Sequence, residues 1–207
     1  MIEVRRIAVE PLQSNCYLCW NTDSGEGAVI DPGGEGQKII AQVEEAGFAP
    51  LYILNTHGHG DHVAANTELK ERYGVPLLIH RDEAPLLEDP QLNMSAVYGL
   101  PVTSPPADGF LAEGDKVEFG GLSFEVLYTP GHSPGGIAFY GHGVVFTGDA
   151  LFMGSIGRCD LPGGDEDLLI GKIKENLLTL PEDTVVYPGH GGSTTIGVEK
   201  RFNPFLV

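Results

Sequence analysis

The run Thr56-His57-Gly58-His59-Gly60-Asp61-His62 constrains this chain more than any other segment, because it crowds three imidazoles and a carboxylate into seven residues. On a regular helix, the side chains of His57 and His59 would point to nearly opposite sides. On a loop they can converge, and the two glycines between the histidines are expected to permit the curl by adopting unusual backbone angles. The apolar residues 51–54 before the run are typical of a buried strand. The pattern therefore predicts a metal site on a loop that leaves a strand.

Three further candidate ligands stand downstream of this run. His132, Asp149 and His190 each follow an apolar stretch of β character, and each has a glycine immediately before it. Taken singly, a Gly-His or Gly-Asp pair more often marks only a turn. Taken together with the histidine run, they predict four segments that end strands at one shared sheet edge.

The rest of the pattern indicates an α/β sandwich with helices on the outside. Helices are predicted over residues 36–47, 61–73, 81–88 and 166–178. Strands are predicted over residues 2–9, 14–20, 51–54, 77–79, 116–119, 122–128, 136–140, 144–147 and 185–187. Residues 90–112 contain four prolines and are expected to form an irregular excursion that borders the site. The length favours one domain, residues 1–207.

Charge and composition exclude several classes of partner. Lysine and arginine number 12 against 29 aspartates and glutamates, which gives a net charge of −17 and disfavours binding to nucleic acid. No apolar run approaches the roughly 20 residues that a membrane-spanning helix needs. Because Cys16 and Cys19 lie three apart on a predicted strand, they should face opposite sides and not chelate together. With three cysteines and a charged N-terminus, a cytoplasmic protein is expected. Nothing in the sequence indicates an oligomeric state.

Together these motifs resemble the metallo-β-lactamase superfamily over nearly the whole chain. The resemblance rests on T-H-x-H-x-D-H, on the later P-G-H, G-D and G-H elements, and on their order. It implies an αββα sandwich with two divalent metal ions, one held by His57, His59 and His132, the other by Asp61, His62 and His190. Asp149 would bridge them and leave room for a bridging hydroxide. Zinc is the expected metal, with iron or manganese as alternatives.

Within the superfamily, the segments Gly148–Phe152 and Gly157–Asp165 look like the short, single-domain relatives of glyoxalase II, the hydroxyacylglutathione hydrolases. That likeness implies hydrolysis of S-2-hydroxyacylglutathione or a related acyl thioester, with Asp61 as the catalytic residue that orients the hydroxide. Arg158 is expected either to meet an anionic substrate or to form a structural salt bridge. The β-lactamases proper lack an equivalent of Asp149, so hydrolysis of lactams is not expected.

Two departures leave glutathione specificity open. Gly58 stands where the longer glyoxalase II enzymes usually have another histidine, and only residues 191–207 follow His190, with no helical domain. Two other activities remain possible on the same fold. One is a persulfide dioxygenase with a single iron at the positions of His57, His59, His132 and Asp149, and the other is a lactonase. A non-catalytic binding protein is a third reading, which the full set of seven ligands disfavours. Asp31 is expected to fix a loop behind the site.

Overall fold

The computed structural model describes all residues, 1–207, and contains two six-stranded sheets. The first sheet has the order β1-β2-β3-β4-β5-β6, formed by Ile2–Val9, Ser14–Asn21, Glu26–Ile30, Ala49–Leu54, Leu77–His80 and Gly109–Leu111. The next four strands are β7 (Lys116–Phe119), β8 (Leu122–Tyr128), β9 (Ile137–Gly141) and β10 (Val144–Gly148), followed by a small hairpin of β11 (Leu151–Phe152) and β12 (Ser155–Ile156). Strands β13 (Val185–Pro188) and β14 (Thr194–Thr195) complete the second sheet, whose order is β14-β13-β10-β9-β8-β7.

Six α-helices cover the outer faces of these sheets. They are α1 (Gly36–Ala46), α2 (Gly60–Val63), α3 (Asn66–Tyr73), α4 (Ala84–Glu88), α5 (Glu166–Lys172) and α6 (Ile196–Phe202). A 3₁₀ turn, Arg81–Glu83, leads into α4, and a π-helical segment, Ile173–Leu177, continues α5. None of the helices has the length and apolar character required to span a membrane.

The core lies in three layers, as the αββα arrangement requires. Tyr17, Phe124 and Phe146 belong to the layer between the two sheets. A second apolar layer separates the first sheet from α1 and α3, and a third lies under α5 and α6. Cys16 and Cys19 fall in different layers, so the strand places them on opposite faces as predicted. The predicted α/β sandwich is confirmed.

The helix predicted over residues 61–73 is wrong in one respect, because the structure breaks it into α2 and α3. At the break, the Ala65 amide donates to the Pro32 carbonyl at 2.9 Å. The side-chain amide of the buried Asn66 donates through Nδ2 to Asn55 Oδ1 at 2.8 Å and to Ser104 Oγ at 2.9 Å. These contacts to other elements hold the chain in a bend that one straight helix cannot make. Similarly, the excursion over residues 90–112 contains the strand β6, and α6 was not predicted.

Candidate metal centre

The seven predicted ligands lie together at one edge of the sandwich. Strand β4 delivers the chain into the loop of His57 and His59, and α2 then presents Asp61 and His62. The other three candidates, His132, Asp149 and His190, follow the ends of β8, β10 and β13. Within the second sheet these three strands run in the same direction, so their carboxyl ends share one edge. The sequence therefore identified the segments that converge here.

The ligand atoms form two groups. His57, His59 and His132 make up the first ligand group, whose potential ligand atoms all lie within 4.8 Å of one another. His59 Nδ1 and His132 Nε2 are 3.0 Å apart. Asp61, His62 and His190 make up the second ligand group, which satisfies the same limit. In that group Asp61 Oδ2 is 3.1 Å from His190 Nε2. This division is the one that the family resemblance implied.

Asp149 lies between the two groups. Its Oδ2 is 3.5 Å from His132 Nε2 in the first group and 3.6 Å from His190 Nε2 in the second. Its Oδ1 is 3.4 Å from His62 Nε2. A single carboxylate thus faces members of both groups, which is the position that a bridging ligand needs.

Unpaired polar atoms show that the residues fit a bound cation. His57 Nε2, His62 Nε2 and Asp149 Oδ1 are buried and have no hydrogen-bond partner. A buried polar atom left unpaired costs about 1–3 kcal/mol. Metal coordination would satisfy all three atoms at once. The donor set of five imidazoles and two carboxylates suits zinc, iron or manganese.

The electrostatics of the cluster agree with this fit. Burial, and next the neighbouring His62, hold the pKa of His57 well below its usual value, and burial lowers the pKa of His59 to about 3. Although burial alone would raise the pKa of Asp149, the positive charge of a protonated His62 lowers it well below the usual range. Burial alone would lower the pKa of His62, but the carboxylates of Asp61 and Asp149 raise it well above its usual value, so a bound cation would take the place of that proton. Neutral imidazoles and an ionised carboxylate are the forms that bind a metal ion.

Asp31 lies behind the cluster, as predicted. It accepts hydrogen bonds from the Thr56 amide at 2.7 Å and from Thr56 Oγ1 at 2.6 Å. Its Oδ2 also lies 3.2 Å from Nδ1 of His62, on the side of the ring away from Asp61 and Asp149. Asp31, His57 and His62 also lie close enough to hold an ion. However, these hydrogen bonds assign Asp31 to orienting His62, because a second-layer carboxylate fixes the tautomer and direction of a ligand histidine.

Glu83 is a buried carboxylate that sequence reasoning missed. Its Oε2 accepts a hydrogen bond from the Gly58 amide at 2.7 Å, and its Oε1 accepts one from the Gly135 amide at 2.6 Å. Burial raises its pKa, while these amide donors act in the opposite direction. Glu83 thus ties the loop of His57 and His59 to the loop that follows His132. In the sequence it is one of several acids in a polar turn, and no local signal distinguishes it.

The start of β2 also holds the site, through contacts that the sequence did not suggest. Asn15 Nδ2 donates to the carbonyls of Pro188 and Gly191 at 2.9 and 3.0 Å. Tyr17 Oη donates to the same Pro188 carbonyl at 2.7 Å. Ser14 Oγ donates to the Asp61 carbonyl at 2.6 Å. The first sheet therefore fixes both the loop of His190 and the turn of Asp61.

The predicted role of the glycines in the histidine run is wrong. Neither Gly58 nor Gly60 has a left-handed backbone. Instead, a Cβ at Gly58 would lie 2.7 Å from Leu86 Cβ, and one at Gly60 would lie 2.7 Å from Ser95 Cβ. These glycines are required because neighbouring segments pack directly against the loop. A histidine side chain at Gly58 would collide with α4.

The cluster opens into a cavity of about 340 Å³. Five of the candidate ligands line its floor: His59, Asp61, His132, Asp149 and His190. Its walls are formed by Leu12, Met94, Tyr98, Phe152, Ser155, Ile156, Arg158 and Leu161. Arg158 is half exposed and makes two hydrogen bonds of 2.7 Å to Asp160. Its carbonyl lies 2.8 Å from His132 Nδ1, which leaves Nε2 of that ring directed into the cluster. Arg158 therefore forms the predicted salt bridge, and its contact with an anionic substrate stays a prediction.

Comparison with known proteins gives relatives of the same length. A sequence model of the metallo-β-lactamase superfamily matches residues 9–190. The probable metallo-hydrolase YqgX of Bacillus subtilis is 45% identical over 206 residues, which are 98% of this chain and 96% of YqgX. The hydroxyacylglutathione hydrolase GloC of Haemophilus influenzae is 42% identical over 209 residues, which are 99% of this chain and 98% of GloC.

Solved structures show the same architecture. The B3 metallo-β-lactamase BLEG-1 superposes with a TM-score of 0.95 at 42% identity, covering 99% of this chain and all of BLEG-1. TTHA1623 in a di-iron-bound form has a TM-score of 0.88 at 43% identity, covering 98% of this chain and 100% of the other. ETHE1 from Myxococcus xanthus has a TM-score of 0.83 at 30% identity, covering 98% of this chain and 83% of ETHE1.

Proposed function

The chain belongs to the metallo-β-lactamase superfamily and is a metal-dependent hydrolase of that superfamily, and from this premise we propose that it hydrolyses acyl thioesters with two metal ions, in the manner of glyoxalase II. The observation that carries the proposal is the pair of ligand groups that share Asp149 at the floor of an open cavity. Two metal ions bound there would polarise the substrate carbonyl and lower the pKa of water toward about 7.

The residues of the chain have distinct tasks in this reaction. Asp61 extends into the cavity and is proposed to orient the attacking water through its carboxylate, in addition to its place in the second ligand group. Arg158 stands at the wall, where it would attract an anionic part of the substrate. Because a thiol has an ordinary pKa of about 8.5, a thiolate leaves without needing a strong general acid.

Similarity to GloC supports a thioester substrate. This chain covers 98% of GloC, so a protein without a long C-terminal extension carries the name hydroxyacylglutathione hydrolase. S-2-Hydroxyacylglutathione and related acyl thioesters are therefore the proposed substrates. Zinc is the proposed metal, and the di-iron form of TTHA1623 keeps iron as an alternative beside manganese.

A persulfide dioxygenase with one iron is the second candidate, and similarity to ETHE1 favours it. That chemistry would need only the first ligand group and Asp149. In this chain Asp61, His62 and His190 also converge, and the buried His62 Nε2 lacks a partner. The second group therefore favours the hydrolase. Lactone hydrolysis stays a substrate variant of the same site, and the likeness to BLEG-1 makes a β-lactam a necessary assay.

One experiment separates these activities. The purified protein is analysed for metal content and then assayed with S-lactoylglutathione, an acyl lactone, a β-lactam and glutathione persulfide. Two metals per chain and preferred turnover of the thioester are expected. One iron per chain with oxygen consumed on the persulfide would overturn the hydrolase proposal, and preferred turnover of lactone or lactam would replace the thioester as substrate.

We further propose that the partner is a small molecule and not nucleic acid. The net charge of −17 repels a phosphate backbone, and Arg158 is the single lysine or arginine that lines the site cavity. In an electrophoretic mobility assay at low salt, where electrostatic binding is strongest, the protein is expected to leave the mobility of labelled RNA or DNA unchanged. A salt-sensitive shift would contradict this.

A further inference from the structure

The short hairpin of β11 and β12 forms one wall of the cavity above the ligand groups. Its residues Phe152, Ser155 and Ile156 line that cavity. The Phe152 ring meets the ring of His190 edge to face, with 6.2 Å between the two centroids. The hairpin therefore lies beside the second ligand group, where a bound substrate would contact it.

The hairpin is too short to keep this position by itself. Each strand has two residues, and the pairs Leu151 with Ile156 and Phe152 with Ser155 are all that join them. Even hairpins of ordinary length are at best marginally stable alone in water. Leu151 and Ile156 are buried in the third apolar layer and anchor the base of the hairpin. The turn at residues 153–154 lies beyond these anchors, so its position depends on contacts with other elements.

Helix α6 supplies those contacts. Glu199 Oε2 accepts a hydrogen bond from the Gly154 amide at 2.9 Å, and Asn203 Nδ2 donates to the Ser155 carbonyl at 3.0 Å. Asn203 Nδ2 also donates to Glu199 Oε2 at 2.8 Å, and Thr194 Oγ1 donates to Glu199 Oε1 at 2.6 Å. Glu199 and Asn203 are 1% and 0% exposed. We call these two residues the α6 clamp.

The polar character of the α6 clamp indicates what it does. A buried carboxylate is costly unless hydrogen bonds surround it, and two of the three donors that converge on Glu199 connect it to the hairpin. Apolar contacts such as those of Leu151 are not directional and leave a turn free to slide. Hydrogen bonds have a preferred distance and angle. The α6 clamp therefore fixes one position of the turn.

From these contacts we propose that Glu199 and Asn203 are positioning residues, which hold the hairpin so that Phe152 forms part of the substrate-binding surface. This inference rests on the proposed thioesterase function and adds to the site two residues that do not line the cavity. A wall that leaves its place part of the time lowers the apparent affinity in proportion to the fraction of molecules that can bind. Loosening the α6 clamp should therefore raise KM and change kcat little.

The first test compares Glu199→Ala with Glu199→Gln in the metal-loaded protein, with S-lactoylglutathione as substrate. Alanine removes the hydrogen bonds to Gly154 and Asn203. The net loss of one hydrogen bond changes an equilibrium constant by about two- to tenfold, so KM should rise by at least about threefold, with kcat within about twofold of the wild type. Glutamine keeps an accepting oxygen for both bonds without the charge, so its KM should lie between the other two. An unchanged KM in Glu199→Ala would overturn the proposal.

The second test asks whether Glu199 acts through the wall. Phe152→Ala removes the ring from the wall and should by itself raise KM. If the α6 clamp works by placing Phe152, the double variant with Glu199→Ala should raise KM by less than the product of the two single effects. Effects that multiply would assign Glu199 a role unrelated to this wall and would also overturn the proposal. If Glu199→Ala does not fold, Asn203→Ala takes its place in both tests.

Amide hydrogen exchange gives a readout that is independent of turnover. Exchange of the Gly154 amide should become faster in Glu199→Ala and Asn203→Ala. Thr195→Ala is the matched control, because Thr195 caps the same helix by accepting from the Val198 amide at 3.3 Å and makes no hydrogen bond to the hairpin. The control should lower the stability in urea and leave both KM and the exchange at Gly154 unchanged. Equal changes in the control would mean that the α6 clamp only stabilises the helix.

Failure of this inference differs from failure of the proposed function. A wild-type protein that hydrolyses no thioester would overturn the proposed function, and with it the role of the α6 clamp toward that substrate. An active wild type whose KM is unchanged in the clamp variants would overturn this inference alone. A fall in kcat and in metal content with KM unchanged would do the same, because the clamp would then support the metal centre and not the substrate.

Discussion

Replacing Glu83 with glutamine should weaken metal binding at one ligand group more than at the other. The two carboxylate oxygens of Glu83 accept from the Gly58 and Gly135 amides at 2.7 and 2.6 Å. Glutamine has the same shape but only one accepting oxygen. One amide would therefore face an NH₂ group, and a buried donor would be left unpaired. The two connected loops carry His57, His59 and His132, whereas the second ligand group depends on other contacts.

The magnitude follows from the lost hydrogen bond. A hydrogen bond to a charged group contributes about 1.5–3 kcal/mol, and part of this is offset because Glu83→Gln also removes a buried charge. We expect the free energy of unfolding of the metal-free protein to fall by about 2 kcal/mol. Loss of a contact that orients a ligand typically weakens metal affinity by about 10–100-fold. That loss should fall on the first ligand group.

Urea denaturation measures the stability of the metal-free protein, and competition with a chelator measures its metal affinity. Anomalous scattering from crystals of the variant then gives the occupancy at each ligand group. Glu199→Gln is the matched control, because Glu199 is equally buried and accepts from the Gly154 amide at 2.9 Å, and none of its side-chain hydrogen-bond partners (Gly154, Thr194 and Asn203) is a candidate ligand. The control should lose stability and keep its metal affinity. Equal weakening of both groups in Glu83→Gln, or none, would refute the reasoning.

Four further substitutions test the site and the fold. His59→Ala should lose metal and turnover while circular dichroism stays native; two bound metals with full turnover would refute its place among the ligands. Asp149→Ala should reduce metal content at both groups, and unchanged occupancy at either would argue against bridging. At Gly189, alanine would place a Cβ on Asp149 Oδ1 and 2.7 Å from His62 Cε1, so metal affinity should fall at least about tenfold by chelator competition; wild-type affinity would contradict this. Gly171→Ala lies in α5 with no atom near the new Cβ and should raise the free energy of unfolding by about 0.5–1 kcal/mol in urea, with unchanged metal binding; a loss of stability would count against it.

The ligand segments were predictable because their chemistry is local. Imidazoles and carboxylates next to glycine at the ends of apolar stretches identify turns that follow strands, and His132, Asp149 and His190 all occur in such turns. The alternation and length of the apolar runs likewise predicted most strands. In both cases the information lies within a few neighbouring residues.

The supporting contacts were not predictable because they join residues far apart in the chain. Glu83 acts through amides of Gly58 and Gly135, and nothing around residue 83 indicates that its carboxylate is buried. The break between α2 and α3 has the same origin, since Asn66 is an ordinary helical residue until Asn55 and Ser104 are placed beside it. Single long-range hydrogen bonds leave no periodic signature in a sequence.

The anchoring of the His190 loop by β2 has a consequence for the order of folding. Asn15 and Tyr17 contact the Pro188 carbonyl across 173 and 171 residues of chain. Contacts of such long range carry a large loop-closure entropy and form slowly. Each sheet can begin to fold from its own neighbouring hairpins, but the contacts of Asn15 and Tyr17 with Pro188 form only after the two sheets have docked. A growing or partly folded chain would hold the first histidines as an isolated loop, and the complete cluster would exist only after the last strands are in place.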